Sequence, residues 1–507
     1  MDNLHFTPAQ KIGKESVISF VGMGYGQFLR YFSTIILARL VGVSYLGMYS
    51  LGTSITTLAS VLAKAGMDVG LMRSISGKNL GSERDQIRQD IYSSLKIGIL
   101  FSLLVMIVLI CSSGWLVENV FHESNLLRNV LIVNAIAIPF ITLNMISIHA
   151  TQGFQLLKYK IFIEYILNPT ILLLGIILIY YTLSAELVII LPVLVASIIC
   201  SIFSSMILKK IINVDIFKTW KAKMDTEILL FSLPIMFTVI LGTMLHWLDI
   251  IMLGFFTNTE TVGLYHPIIR TAGMQNTILI AFSGIFAPMF SKYFAQSDRQ
   301  KMQHIYRIVT RWILTMIVPI FIFILLFSKK IMLLFGAEFL PVADVLILLT
   351  VGTSIFSLLG ISGSILVVSG YQKLNLINTL LATVLNIVLN VILIPKYGLA
   401  GAAWATVISL TFIAVLRLIE TQLILKINPF YYKDIKSIIA GLITFGIMIY
   451  IKQYITHFHT VITIILAVVS ITLIYLLMIM MLKLDEDDKD FLRSITFLKS
   501  KIIKPRN

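Results

Sequence analysis

The sequence predicts an all-α polytopic membrane protein of about fourteen transmembrane helices. It reads as two parallel six-helix repeats followed by two extra C-terminal helices, with both termini cytoplasmic. Three observations carry this. The 507 residues are 58% hydrophobic and only 13% charged, with mean hydropathy +0.94. A soluble domain carries roughly 25% charged residues, so a soluble fold would expose far too much apolar surface. The apolar residues fall in long runs, each enough to cross a bilayer as a helix. And one pattern is written twice: "LARLVGVSYLGMYSL" at 37–51 and "LGFFTNTETVGLYHP" at 253–267 place Gly47 and Tyr49 against Gly263 and Tyr265, displaced by 216 residues.

Taken in order, the runs alternate with basic loops on one side only. Span 1 (15–40) follows a polar start holding Lys11 and Lys14, and its apolar stretch from Val17 is longer than a cleavable signal's core, so it reads as retained. Span 2 (44–71) leads into Arg73, Lys78, Arg84, Arg88 and Lys96. Span 3 (91–113) is joined to span 4 (127–150) across Arg128 alone. Lys158 and Lys160 precede span 5 (157–181), and no basic residue separates it from span 6 (184–208). Lys209, Lys210, Lys218, Lys221 and Lys223 precede span 7 (226–255), which reaches span 8 (263–291) through an uncharged turn but for Glu260. Lys292, Arg299, Lys301, Arg307 and Arg311 surround the start of span 9 (307–328); Lys329 and Lys330 lie before span 10 (341–368). Lys373 opens span 11 (373–395), and Lys396 stands before span 12 (400–424). Lys426, Lys433 and Lys436 precede span 13 (437–454), and Lys452 lies before span 14 (459–482). With the N-terminus inside, inner segments and the tail hold thirty of the 40 basic residues and outer segments five, the remaining five lying within spans. Lys and Arg favour the cytoplasmic side, so this fixes an even number of spans.

The net charge of +15 is therefore a topology signal. Nucleic-acid binding would need the basic residues gathered on one soluble face. The tail at 483–507 is expected to be a charged cytoplasmic segment that meets membrane lipids at most. Cys111 and Cys200 sit inside apolar runs and read as packing residues. "GMGYG" at 22–26 has no preceding strand, so Gly22 and Gly26 read as a helix-packing pair and not as a dinucleotide fingerprint. No Walker A motif, metal-ligand spacing or nucleophile motif is present, and no cofactor or metal is expected.

A second echo, "GFQ" at 153–155 and "GYQ" at 370–372, is displaced by 217. Six is even, so the copies lie parallel: 1–212 forms an N-lobe, 226–425 a C-lobe, and 426–482 the two added spans. Parallel repeats place a substrate site at their interface and rock against each other. The Gly-x-Tyr pairs are expected to serve tight outer turns, with Tyr at the membrane interface.

Ionisable groups inside a bilayer cost about 2.5–3.5 kcal/mol each on insertion scales and face partners or water. Arg30 lies near mid-depth of span 1 with no partner in its span. Lys64 and Asp68 are spaced to pair on one helix face, as are Lys160 and Glu164. Asp249 and Arg270 lie at similar depth on adjacent spans and are placed to form an ion pair. His246 reads first as a packing residue. Gln155, Gln372 and Asn144 are candidates for sugar hydroxyls or for interhelical bonds.

"ILARLVGVSYLGMYSL" at 36–51, "LDIIMLGFFTNTETVGLY" at 248–265 and above all "LIPKYGLAGAAWATVIS" at 393–409 make the chain resemble the polysaccharide-biosynthesis flippases (the Wzx, O-antigen transporter type) of the multidrug/oligosaccharidyl-lipid/polysaccharide exporter superfamily. The resemblance runs over nearly the whole chain. It implies two six-helix lobes around a central cavity and a transporter, not an enzyme. It implies flipping of an undecaprenyl-diphosphate-linked oligosaccharide for lipopolysaccharide O-antigen, capsule or a related polymer across the bacterial cytoplasmic membrane by alternating access. A polysaccharide polymerase and a chain-length regulator would be partners. On that reading Arg30, Lys64, Arg270 and Asp249 are the substrate-binding candidates, since a diphosphate in a low-dielectric cavity needs cations and Arg offers a bidentate fork. Asp68 and Asp249 are candidates for proton or sodium coupling. The alternatives are a multidrug/cation antiporter of the same superfamily, whose cavity should carry carboxylates, and a peptidoglycan lipid-precursor flippase.

Overall fold

The computed structural model describes residues 8–78, 82–215, 219–220 and 223–482. The tail expected at 483–507 and loop residues Lys218 and Lys221 lie outside them. Among the described residues there is no strand. Thirteen helices among them are long and apolar enough to cross a membrane. The first is a 56-residue rod, Pro8–Ala63. At 1.5 Å per residue it would be about 84 Å long, nearly three bilayer cores, so it must hold two spans. Gly42 divides them. Its φ of +79° lies in the left-handed region, and the chain folds back there into span 2. Among the described residues the count is then fourteen, an even number.

Most remaining spans are single helices: Arg84–Trp115, Asn125–Gly153, Ala185–Ile212, Thr226–Phe256, Arg299–Phe335, Gln372–Tyr397, Leu399–Leu425, Ile435–Ile455 and Thr460–Met481. The interrupted ones matter more. Span 2 stops at Ala63 and restarts as Met67–Ser76. Span 8 is Thr259–Ala272 followed by Met274–Ala295, and span 10 is Ala343–Leu359 followed by Ile361–Val368. Span 5 begins with Leu157–Ile161, widens into a π turn over Phe162–Leu167 and continues as Asn168–Thr182. Such π turns are single-turn insertions frequent at functional sites.

Spans 1–6 pack on one another, as do spans 7–12, and the two sets meet where span 8 crosses span 2 and where span 7 packs against the first set. That crossing explains the repeated motif. A Cβ on Gly47 would stand 1.7 Å from the Thr259 carbonyl oxygen, and one on Gly263 would stand 2.0 Å from the Val43 carbonyl oxygen. Positions 43 and 259, like 47 and 263, are 216 residues apart, the displacement of the motif. The two contacts are thus one contact seen from both copies, lying on the approximate twofold between them. The glycines are there for backbone approach between halves, not for an outer turn. The tyrosines are not interface anchors either: Tyr265 is fully buried and Tyr49 faces a cavity. A large apolar cluster surrounds the crossing, including Leu46, Leu51, Ile250, Leu253 and Ile268.

Spans 13 and 14 pack on span 9, where Met448, Ala467 and Ile471 meet Ile322 and Phe327. Thr315 and Ser437 hydroxyls add a 2.8 Å hydrogen bond. The far side of span 14 exposes Ile465, Leu473 and Leu477, an apolar surface suited to lipid. Both sets close the end where span 1 begins in the same way. Arg88, early in span 3, donates to the Ile212 carbonyl at the end of span 6 (2.7 Å), and Arg299, opening span 9, donates to the Lys426 carbonyl at the end of span 12.

Candidate functional site

A cavity of about 400 Å³ opens between the first six spans and the faces of spans 7 and 8. Span 2 lines it with Tyr49, Thr53, Thr56, Ser60 and Lys64, a spacing of three and four that forms one helical stripe. Span 1 adds Arg30, Ser33 and Thr34 from successive turns. Most of these hydroxyls already donate to a carbonyl one turn back: Thr34 to Arg30 (3.0 Å), Thr53 to Tyr49 (2.8 Å) and Thr56 to Gly52 (2.7 Å). Their remaining capacity toward the cavity is as acceptors, the complement of sugar hydroxyls. Two buried atoms at the wall, Ser60 Oγ and Asn144 Oδ1, have no hydrogen-bond partner among the described residues.

Three cations face this space: Arg30, Lys64 and Arg270. The π turn of span 5 holds the first. Arg30 Nη2 donates to the Glu164 carbonyl at 2.8 Å, and the guanidinium lies 5.5 Å from the Tyr165 ring centroid. Arg270 stands 5.3 Å from the Trp247 ring centroid and 3.4 Å, Nε to Nε2, from His266. Neither arginine is salt-bridged to a carboxylate among the described residues. Lys64 pairs with Asp68 at 2.7 Å, so that i,i+4 pair forms as its spacing predicts. The cavity therefore carries two unneutralised guanidiniums, held by a carbonyl, an imidazole and aromatic faces. All of these can be exchanged for a stronger anionic partner.

Asp249 is elsewhere. It does not line the cavity and does not pair with Arg270. Its side chain is 2% exposed and turns into the second half, where Asn386 Nδ2 (3.0 Å), Asn390 Nδ2 (2.7 Å) and the Thr406 hydroxyl donate to it. The pairing expected from depth fails because depth fixes only one coordinate; the two side chains leave their helices in different directions. The Lys160–Glu164 pair is likewise absent. Lys160 Nζ instead meets His149 Nε2 (3.2 Å) and Gln152 Oε1 (3.0 Å), because the π turn rotates Glu164 away from it. Of the neutral candidates, Asn144 lines the cavity, whereas Gln155 and Gln372 are exposed at helix ends. The cysteines are free, Cys111 exposed and Cys200 buried.

A second, more open cavity of about 690 Å³ lies in the other half and shares Trp247. Its wall holds His246, edge-on to Phe356 at 6.3 Å, and a single cation, Arg417. Arg417 donates to Thr379 Oγ1 at 3.0 Å.

Sequence reasoning missed His266, Tyr49 and Asn168 as residues lining the first cavity, and the Asn386–Asn390–Thr406 set around Asp249. Asn386 and Asn390 carried a faint signal, two amides four apart in an apolar run. His266 and Arg270 share that spacing.

Comparison with known proteins gives the following. The profile described as polysaccharide biosynthesis protein matches residues 12–294, more than half the chain, and the MatE profile matches 234–392. A probable low-salt glycan biosynthesis flippase of Haloferax volcanii is 30% identical over 176 residues, 34% of this chain and 37% of that protein. A second probable flippase of the same organism is 31% identical over 179 residues, 34% of this chain and 36% of that protein. The alignments thus span little more than a third of these relatives' length. Among solved structures, the lipid II flippase MurJ in an inward closed conformation aligns with TM-score 0.73 at 17% identity, covering 91% of this chain and 98% of that one. An inward-facing multidrug-resistance MATE transporter aligns with TM-score 0.68 at 15% identity, covering 80% and 98%. At these identities the structures share the fold.

Proposed function

This chain belongs to the polysaccharide biosynthesis protein family, and on that premise we propose that it flips a lipid-linked oligosaccharide carried on an undecaprenyl diphosphate. The observation that carries the reading is the convergence of Arg30, Lys64 and Arg270 on one cavity at the interface of the two halves. The diphosphate takes the two guanidiniums, exchanging a carbonyl and an imidazole for charged oxygens, and Lys64 extends the field. The hydroxyl stripe of span 2 accepts from the glycan. The lipid tail stays in the bilayer. The two halves then rock about the span 2–span 8 crossing, and the headgroup leaves on the far side. A cation antiporter fits less well, since among the described residues no carboxylate lines this cavity, and Asp68, next to it, is taken by Lys64. A peptidoglycan precursor carries the same diphosphate, and the test below separates it by its product.

We further propose Asp249 as the coupling carboxylate. Four buried polar side chains on spans 7, 11 and 12 gather there, and Asn390 Oδ1 has no hydrogen-bond partner among the described residues. That set suits either a proton or a sodium ion. Asp68, held by Lys64, suits the role less. The polymer, as O-antigen, capsule or a related glycan, the polymerase and chain-length regulator as partners, and a bacterial cytoplasmic membrane with the N-terminal face inside complete the proposal.

The test uses cells lacking the protein, complemented with wild type or Arg30→Ala at matched membrane levels. Surface polysaccharide and the leaflet location of the lipid-linked unit are measured. The expected result is accumulation on the cytoplasmic side without the protein, cleared by wild type and not by Arg30→Ala. Normal crossing in the deletion, with altered drug sensitivity, would replace this reading by the antiporter. Normal glycan with failing peptidoglycan synthesis would replace it by the precursor flippase.

A further inference from the structure

His266 lies one turn before Arg270 on span 8 and is 2% exposed. It touches both the cavity and the twofold crossing. On the crossing side its Nδ1 stands 2.6 Å from Ser50 Oγ of span 2. Those two residues are 216 apart in sequence, so they occupy one position of the repeat and face each other across the axis. On the cavity side, Nε2 stands 3.4 Å from Arg270 Nε.

These two contacts fix the ring's proton. An arginine Nε can only donate. His266 Nε2 therefore accepts, the imidazole is neutral, and its one N–H is on Nδ1, donated to Ser50 Oγ. A second proton would set an N–H against the guanidinium, with like charges adjacent. Besides Glu260 and Tyr265 on its own helix, the charged and titratable groups on the elements packed here include Arg30, Tyr31 and Arg39 on span 1, Tyr45, Tyr49 and Lys64 on span 2, His246 and Asp249 on span 7, Glu338 and Asp344 on the segment opening span 10, and Arg417 and Glu420 on span 12. Tyr49 stacks edge-on at 6.4 Å, Tyr31 bonds Thr271 (3.2 Å), and Asp249 is held by Asn386, Asn390 and Thr406. Arg270 is the cation that holds Nε2.

We propose that His266 is a positioning residue that couples occupancy of the cationic cavity to the span 2–span 8 contact through the uptake of one proton. The proposal rests on the headgroup reading above. When a diphosphate draws the Arg270 guanidinium onto its own oxygens, Nε2 loses its donor and gains an anion nearby. One proton from water then binds Nε2, while Nδ1–H stays on Ser50. The imidazolium adds a third charge to the headgroup's surroundings and sits at the contact where both halves meet. Release of the anion returns Arg270 to Nε2 and the proton to water. Bound anion and gate thereby sense one another through a ring that belongs to both.

The test is isothermal titration of inorganic pyrophosphate into the purified full chain near neutral pH, in two buffers of different ionisation enthalpy, so that heat reports protons taken up per anion bound. Wild type, H266N, H266Q and R270A are compared, each checked for a monodisperse elution profile. Pyrophosphate's own protonation is common to all and cancels. The expected result is an uptake in wild type larger than in H266N or H266Q by up to one proton, with wild-type affinity rising on acidification more steeply, by up to about tenfold per pH unit. Equal proton counts in wild type and either histidine variant overturn the inference and leave the headgroup reading standing. Pyrophosphate that fails to bind wild type, or binds R270A equally well, overturns the headgroup reading, and the inference with it. Should both histidine variants fail to fold, sulfate, which does not titrate near neutrality, is used on wild type: proton uptake on binding supports the inference, and none overturns it.

Discussion

The two halves share a backbone plan and differ in where they put charge. In the first half, Arg30 faces open space from span 1. The position 216 residues on is His246, which packs edge-on against Phe356. Ser33 in the first half becomes Asp249 in the second, and Asp249 is enclosed by donors where Ser33 simply caps a carbonyl. Lys64 becomes Ile280. The second half keeps one cation in its cavity, Arg417, and ties it to Thr379 beside the Asn378–Glu420 pair. The first cavity thus presents charge to a ligand, with Arg270 of span 8 added to Arg30 and Lys64, whereas the second cavity ties its one cation to its own walls. What remains identical is the crossing itself, Gly47 with Thr259 and Gly263 with Val43. Duplication preserved the hinge and let the chemistry diverge.

The hardest test of that contrast compares arginines. Arg270→Ala should weaken pyrophosphate binding by about 10- to 150-fold, the worth of one charge-assisted hydrogen bond of about 1.5–3 kcal/mol. Arg417→Ala, the matching deletion in the second cavity, should change it less than about threefold, within the scatter of a substitution that touches no ligand. Equal losses at both would mean that the anion spans both cavities, and the two cavities would not be specialised as described.

How far the sequence announces this depends on the cost each feature carries. Arg30, Lys64 and Arg270 are legible because a cation inside an apolar run is expensive and needs a reason. The repeat is legible because Gly-x-Tyr recurs at a fixed displacement. Its purpose is not, since only the folded chain brings position 47 beside 259. Span 1 and span 2 are legible as two runs, and the turn between them at Gly42 is tight enough that the helix runs almost without a break. The Asp249 environment is hidden for a different reason. Asn386, Asn390 and Thr406 are neutral, cost little in a helix, and meet Asp249 only through the packing of spans 7, 11 and 12. His266 is hidden likewise: nothing in "GLYHPIIR" says that its ring faces Ser50.

A smaller effect tests the part that did not diverge. Gly47→Ala and Gly263→Ala each drive a methyl into a carbonyl of the opposite half, at 1.7 Å and 2.0 Å. Overpacking of this kind costs about 1–3 kcal/mol. Both variants should lower the thermal unfolding midpoint by similar amounts in detergent. A loss confined to one of them would show that the crossing is not symmetric in energy, whatever its geometry.

The smallest effect separates the two candidate coupling carboxylates, Asp68 and Asp249. Asp68→Asn releases Lys64 from its 2.7 Å pair and adds positive charge to the cavity side of span 2, so pyrophosphate should bind a few-fold more tightly. The gain is limited, because an ammonium free of its partner is better solvated as well as better placed. Asp249→Asn keeps the shape and the neutral partners of its site, and it lies outside the cavity. Pyrophosphate affinity should stay within about twofold, while transport should lose its dependence on an imposed proton or sodium gradient. Both variants are read in proteoliposomes by anion affinity and by gradient-driven flipping of a lipid-linked glycan. If Asp249→Asn shifts affinity as much as Asp68→Asn and leaves gradient dependence intact, Asp249 acts on the ligand through the shared wall at Trp247. The separation of the ligand-holding cavity from the coupling carboxylate then gives way to one continuous site.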